Sequence, residues 1–241
     1  MLYGADLSHH NDDVVPINFD LLRGHIDFGV SKITQGIDYV DPRGAWHVSE
    51  LRRIGAIPGL YHFPDWGNAV AEAKWFAQHC GDVSGAFVAF DCEAVPGGLD
   101  PVAWSLAFMG TARDLLGVKP LIYLNKSLLL GHDWKPVIAN DFGLWEANYD
   151  GNPADFSVTG AWPAIALKQY TSSASLPGVT GAVDADSFNG SRAQLLAYCK
   201  PAGPAPVPVP PAPTPVPPAP WLSLPTLTYG MRNNASVKHL Q

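Results

Sequence analysis

The segment FVAFDCE, residues 87–93, ends four apolar residues with two carboxylates. Side chains two apart on a strand share a face. Asp91 and Glu93 therefore project together, and Cys92 points away. Two carboxyl groups leaving an apolar strand side by side repel when both are ionised, so one tends to keep its proton. A protonated acid beside an ionised partner is the pair that glycosidic bond hydrolysis needs. D-x-E also occurs on ordinary surfaces; the apolar run before it sets this one apart.

Two more acids occupy similar places. Asp6 ends the first apolar run, LYGAD, and Asp184 ends the last, GAVD. Four acids around one cleft could also hold a metal. Against that, they come from distant runs, and no His pair has ligand spacing. His9 and His10 are adjacent and point apart on an extended chain. The sequence therefore predicts neither a metal nor a cofactor. Flat rings suit the apolar faces of sugars, which makes Tyr61, Phe63, Trp66, Tyr123, Trp145 and Tyr170 candidate platforms near run ends. Asn125 and Gln169 are polar candidates there. His62 reads equally as a brace of the cleft or as a ligand contact. Trp75 and Trp104 lie in helical patterns and read as core.

These residues need elements to position them. Eight short runs rich in Val, Ile, Phe and Tyr read as strands: 2–6, 28–34, 57–63, 86–91, 120–124, 142–145, 164–169 and 181–184. Helical patterns fall at 42–54, 68–79 and 100–116. The last has Asp100 as N-cap, Pro101 at the first helical position and Gly117 as stop. Alternating strand and helix imply a mostly parallel α/β sheet. Eight runs in about 190 residues predict an irregular (β/α) TIM-like barrel of eight strands with some helices missing. Polar residues at the run ends would then converge on one mouth. An open doubly wound sheet is the alternative, but the first run leads into DLSHH rather than a Gly-rich phosphate loop.

Composition narrows the partners. The chain has 241 residues; residues 1–200 carry all 22 carboxylates against 13 Lys and Arg, a formal balance of −9. Such a surface does not suit nucleic acid. No apolar run approaches the roughly 20 residues of a membrane helix. The N-terminal MLYGADLSHHNDD has neither the basic nor the apolar region of a secretory signal. Three widely spaced cysteines suggest no disulfide framework, which fits synthesis in a reducing cytoplasm.

The ordered set ADLSHHN, SKITQG, YVDP, GLYHF, FDCE, IYLN, LWEANY, QYTSS and AVDADSFNGS resembles the family 25 glycoside hydrolases, the muramidases (lysozymes) common among phage endolysins. The resemblance covers residues 1–199. It implies a barrel of the kind predicted above and cleavage of the β-1,4 bond between N-acetylmuramic acid and N-acetylglucosamine in bacterial peptidoglycan. By position, Glu93 would be the general acid/base, Asp91 its partner, and Asp6 and Asp184 would complete the acidic cleft. A monomer made in the host cytoplasm and acting on the wall after release would follow. Two departures, Gln35 where the family often has Glu and Lys168 where it often has Trp, are expected at the cleft rim. A catalytically silent wall-binding module and a chitinase-like glycosidase with the same D-x-E are the alternatives.

Eleven of the 23 prolines lie between Pro201 and Pro220. Residues 200–220 are expected to form an extended polyproline II linker. Residues 221–241 resemble the start of a peptidoglycan-binding module and are too few to bury a core. They are expected to be poorly packed.

Overall fold

Period-two alternation sorts each strand into a face toward a lumen and a face toward helices. In a computed structural model, which describes residues 1–158 and 160–199, eight strands close on themselves around that lumen. They are β1 (Leu2–Leu7), β2 (Phe28–Gln35), β4 (Ile57–Phe63), β5 (Phe87–Cys92), β6 (Leu121–Asn125), β7 (Leu144–Ala147), β8 (Ile165–Ala174) and β9 (Val183–Phe188). The two-residue β3 (Tyr39–Val40) pairs with β2 outside the ring. The order is β1-β9-β8-β7-β6-β5-β4-β2, and β1–β2 pairing closes it. This is the irregular TIM-like barrel that the alternation predicts. The expected linker 200–220 and the segment 221–241 lie outside the described residues.

The helices are α1 (Phe19–Leu22), α2 (Gly44–Ile54), α3 (Ala69–His79), α4 (Pro101–Leu116), α5 (Lys126–Gly131), α6 (Lys135–Ala139) and α7 (Arg192–Ala197). The long ones start and stop where their caps dictate. Asp100 accepts from the amides of Val102 and Ala103, Asn68 accepts from Ala71, and left-handed glycines end α2 and α4. After β6 only short helices remain.

One expectation needs correction. The last run was placed at 181–184, with Asp184 at its end. The strand is Val183–Phe188 and runs antiparallel to both neighbours, so Asp184 lies at its start. Because the direction is reversed, the start of β9 reaches the same mouth as the ends of the parallel strands.

The lumen is filled in layers. Phe28, Phe87, Leu121, Leu167 and Phe188 pack one cluster with Val30, Ala89 and Tyr123 above them. Two glycines make room for the rings. A Cβ on Gly4 would stand 2.4 Å from the Phe28 ring, and one on Gly59 would stand 2.4 Å from Phe87. The larger cluster fills the space between the barrel and α3, α4 and α6, around Phe76, Phe90, Phe108 and Trp134. Overpacking of a filled core costs about 1–3 kcal/mol. Gly59→Ala is therefore expected to destabilise the fold by about 2 kcal/mol in urea unfolding; an unchanged midpoint would show that the Phe87 ring can move.

Candidate active site

The lumen-facing side chains turn polar at the mouth. Asp6, Tyr61, Asp91, Glu93, Tyr123, Trp145, Tyr149, Gln169 and Asp184 line a cavity of about 160 Å³. A larger hollow of about 570 Å³ lies at the other end of the strands, beside Tyr198 and Cys199. It gathers no carboxylate cluster, so the smaller cavity is the site. Alternation explains the lining. Asp91 follows Phe87 and Ala89, Tyr61 follows Ile57 and Gly59, and Gln169 follows Leu167. Cys92 points the other way and is buried near Ser105.

Asp6 and Asp184 are direct cross-strand partners. Gln169 Nε2 donates to Asp6 Oδ2 at 2.7 Å, and the hydroxyls of Tyr123 and Tyr149 donate to Gln169 Oε1 at 2.8 and 2.7 Å. The two phenols thereby fix which end of the amide faces Asp6. Below them, the Trp145 indole donates to Asp186 Oδ1 at 2.8 Å. Asp91 has a buried Oδ1 with no partner among the described residues.

All five carboxyl groups are pushed up, and burial is the first cause for each. Asp6 rises to about 7, with the charge of Asp184 as the second cause. Asp91 rises well above the usual range, helped by Glu93 and Asp6 and opposed by Lys32. Glu93 rises through burial and the charge of Asp184, again against Lys32. Asp186 is fully buried and held well up, with the charge of Asp6 as the second cause.

The other sequence candidates divide. Trp66 holds the backbone just beyond β5: its indole donates to the Glu93 carbonyl at 3.1 Å. It sits at φ 61° and Ala94 at φ 51°, both left-handed conformations in non-glycine residues, and such strain clusters at functional sites. His62 is fully buried outside the lumen and braces the mouth. Its Nδ1 meets Thr34 Oγ1 at 2.8 Å and its Nε2 meets Glu72 at 3.0 Å. Glu72 in turn accepts from the amides of Asp65 and Gly67 on either side of Trp66. Asn125 caps α5 through the amide of Leu128. Phe63 carries the Lys32 ammonium 4.8 Å above its ring. Tyr170 stands beside Gln169 but does not line the cavity.

Two expectations are corrected. Lys168 is not at the rim: it is fully buried on the outer face of β8. His9 and His10 do not point apart, because a 3-10 turn over His9–Asp12 stacks their rings 3.9 Å centre to centre. With Asp13 they come close enough to share an ion, although His9 Nδ1 already pairs with Asp41 and Tyr39. Gln35 ends β2 on the mouth side and bonds Lys32 and Asp65 there, without lining the cavity itself. Sequence reasoning missed Tyr149 and Asp186. Each continues a lumen-facing alternation already in use, 145-147-149 and 184-186.

A closed α/β barrel with paired carboxyl groups at its mouth is the arrangement a glycoside hydrolase uses. Residues 5–179 match the model of glycosyl hydrolases family 25. Lysozyme M1 of Streptomyces globisporus is 26% identical over 219 residues, which cover 80% of this chain and 70% of that one. The bacterial lysozyme of Streptomyces coelicolor has a TM-score of 0.71 at 26% identity, covering 82% and 96% of the two chains. The muramidase of Trichobolus zukalii has a TM-score of 0.70 at 25% identity, covering 82% and 98%. The chain belongs to glycosyl hydrolases family 25, the lysozyme (muramidase) class.

The raised acids set a pH dependence. Asp6 moves from 3.8 to about 7 on folding. Between these values the folded chain binds the proton more tightly, so this contribution is full below about pH 4 and is lost as pH rises through about 7. Asp6→Asn removes that loss. Its melting temperature is expected to gain on the wild type steadily from pH 4 to pH 8; a constant difference would sink the assignment.

Proposed function

We propose that the mouth cleaves the β-1,4 bond between N-acetylmuramic acid and N-acetylglucosamine, with Glu93 as general acid/base and Asp91 as its partner. The observation that carries this is the Asp91–Glu93 pair, placed on one face at the mouth and raised by burial. A carboxyl group that keeps its proton near neutral pH can protonate the leaving oxygen. The buried, unpartnered Oδ1 of Asp91 suits the N–H of the sugar's 2-acetamido group. With that group oriented, its carbonyl oxygen attacks the anomeric carbon as Glu93 gives its proton to the departing oxygen. Water, deprotonated by Glu93, then opens the cyclic intermediate with net retention. Asp6 and Asp184 keep the floor of the cleft acidic, and Tyr61, Tyr123 and Trp145 offer rings to the sugar.

Glu93→Gln keeps the shape and removes the acid. It is expected to lower turnover of peptidoglycan at least about a hundredfold while binding of wall material persists. Mass spectrometry of a wild-type digest should show reducing N-acetylmuramic acid ends, and proton NMR should show the β-anomer first. Reducing N-acetylglucosamine ends would indicate a glucosaminidase, and an α-anomer would indicate direct attack by water from across the cleft.

The biological role we propose is that of an endolysin: a muramidase domain (1–199), a proline-rich tether (200–220) and the start of a wall-binding segment (221–241). A tether of this kind would raise the local concentration of enzyme on a polymer. The same reading has a monomer made in the host cytoplasm and reaching the wall after release. Among the described residues, no helix is long and apolar enough to cross a membrane. Because 21 residues are too few to bury a core, the 241-residue chain and residues 1–199 are expected to co-sediment with purified cell walls to a similar extent; clearly stronger sedimentation of the 241-residue chain would show that the short segment binds unaided.

A further inference from the structure

Lys168 and Gln169 are consecutive residues on β8, and alternation sends them to opposite faces. Gln169 enters the mouth and accepts from the Tyr149 hydroxyl at 2.7 Å. Lys168, fully buried on the outer face, donates to Asp150 Oδ2 at 2.6 Å. Two neighbouring residues of the strand thus hold two neighbouring residues of the loop, one pair from inside the barrel and one from outside. The other Lys168 protons go to the carbonyls of Asn152 and Asp155, both at 3.0 Å. An ammonium has three donors, and all three are used on residues 150–155. Ser187, the cross-strand partner of Lys168, adds a bond to the Pro153 carbonyl at 2.8 Å. The backbone contributes Asn148 N to Gln169 O and Gly151 N to Tyr170 O, each at 3.0 Å.

We propose that Lys168 is a positioning residue for the active site, the outer half of a clamp that holds loop 148–155 so that Tyr149 stays seated on Gln169. Through Gln169 the clamp reaches Asp6. The amide turns its Nε2 to Asp6 because its Oε1 is taken by Tyr149 and Tyr123. Tyr149 is otherwise 58% exposed, so few contacts besides the clamp keep it at the mouth. Burial of a lysine is costly unless it is paired and hydrogen-bonded, and here every bond that offsets the cost is made to the loop. An apolar side chain at this position could fill the same space but could not fasten the loop to the strand.

The consequence for turnover rests on the muramidase reading; the mechanical claim does not, and the two are measured separately. In Lys168→Met, amide hydrogen exchange over residues 148–155 is expected to rise at least tenfold while the strands keep their protection. This readout needs no substrate. Activity on soluble peptidoglycan fragments is then compared in a cycle of Lys168→Met, Tyr149→Phe and the double variant. Each single change is expected to lower kcat/KM about tenfold, and the double variant should lose little more than the worse single one. Unchanged exchange in the loop would overturn the clamp. Additive losses, or a loosened loop with full activity, would overturn its link to the site. If Lys168→Met does not fold, Asp150→Asn loosens the clamp from the exposed loop side and is read in the same two ways. A wild type that does not cut peptidoglycan would remove the activity arm and leave the exchange arm standing.

Discussion

Burial of carboxyl groups, reinforced by their mutual repulsion, governs this mouth. Asp6, Asp91, Glu93 and Asp184 line it and Asp186 lies one layer deeper, and burial is the first cause of the rise of each. The nearby cation, Lys32, opposes the rise of Asp91 and Glu93 without reversing it. Much of the remaining relief comes from neutral donors: the Gln169 amide on Asp6 and the Trp145 indole on Asp186. Neutral donors stabilise a charge without stripping protons from its neighbours as a strong cation would. The result is a set of acids held above their ordinary carboxyl values, the direction an acid catalyst needs.

The outer faces of the strands serve the same mouth indirectly. Ser31 and Thr34 on β2 each meet a buried histidine, and each histidine meets a buried carboxylate: His47 with Asp12 at 2.6 Å, and His62 with Glu72 at 3.0 Å. Burial lowers both histidines, which suits a neutral ring accepting from the hydroxyl and donating to the carboxylate. Asp12 then takes the amide of Ile17, and Glu72 takes those of Asp65 and Gly67. Lys168 does the equivalent for loop 148–155. One strand face binds the chemistry and the other fastens the loops that frame it.

Much of this was legible in the sequence because it depends on local alternation. Each of the eight apolar runs holds a strand, and Asp6, Asp91, Glu93 and Asp184 meet at one cavity because run ends converge in a barrel. What was not legible depends on direction and on non-local partners. His62 ends a strand like the others, yet only the packing of α3 shows that its partner is Glu72. Asn125 looks like a mouth residue, but the start of α5 takes its side chain as a cap. Lys168 was placed at the rim by its neighbour Gln169, and alternation puts it on the other face. Tyr149 lies beyond the last residue of β7, where apolar patterning has stopped.

The reversal of β9 follows from chain length and has a chemical result. Only residues 175–182 separate β8 from β9. A parallel neighbour needs a crossover of about a dozen residues or more, whereas an antiparallel one needs only a short loop. Reversal therefore brings the start of β9 to the mouth, and its lumen face reads downward into the barrel. Asp184 lies level with Asp6, and Asp186 lies one layer deeper, opposite Gly4. Depth separates the two acids. Asp184 keeps contact with solvent, while Asp186 is fully buried, and burial and the charge of Asp6 push its carboxyl well up. A parallel strand ending in one aspartate could supply the upper acid but not this lower one. The short connection thus gives the site a second, deeper acid beneath the carboxyl groups at the mouth.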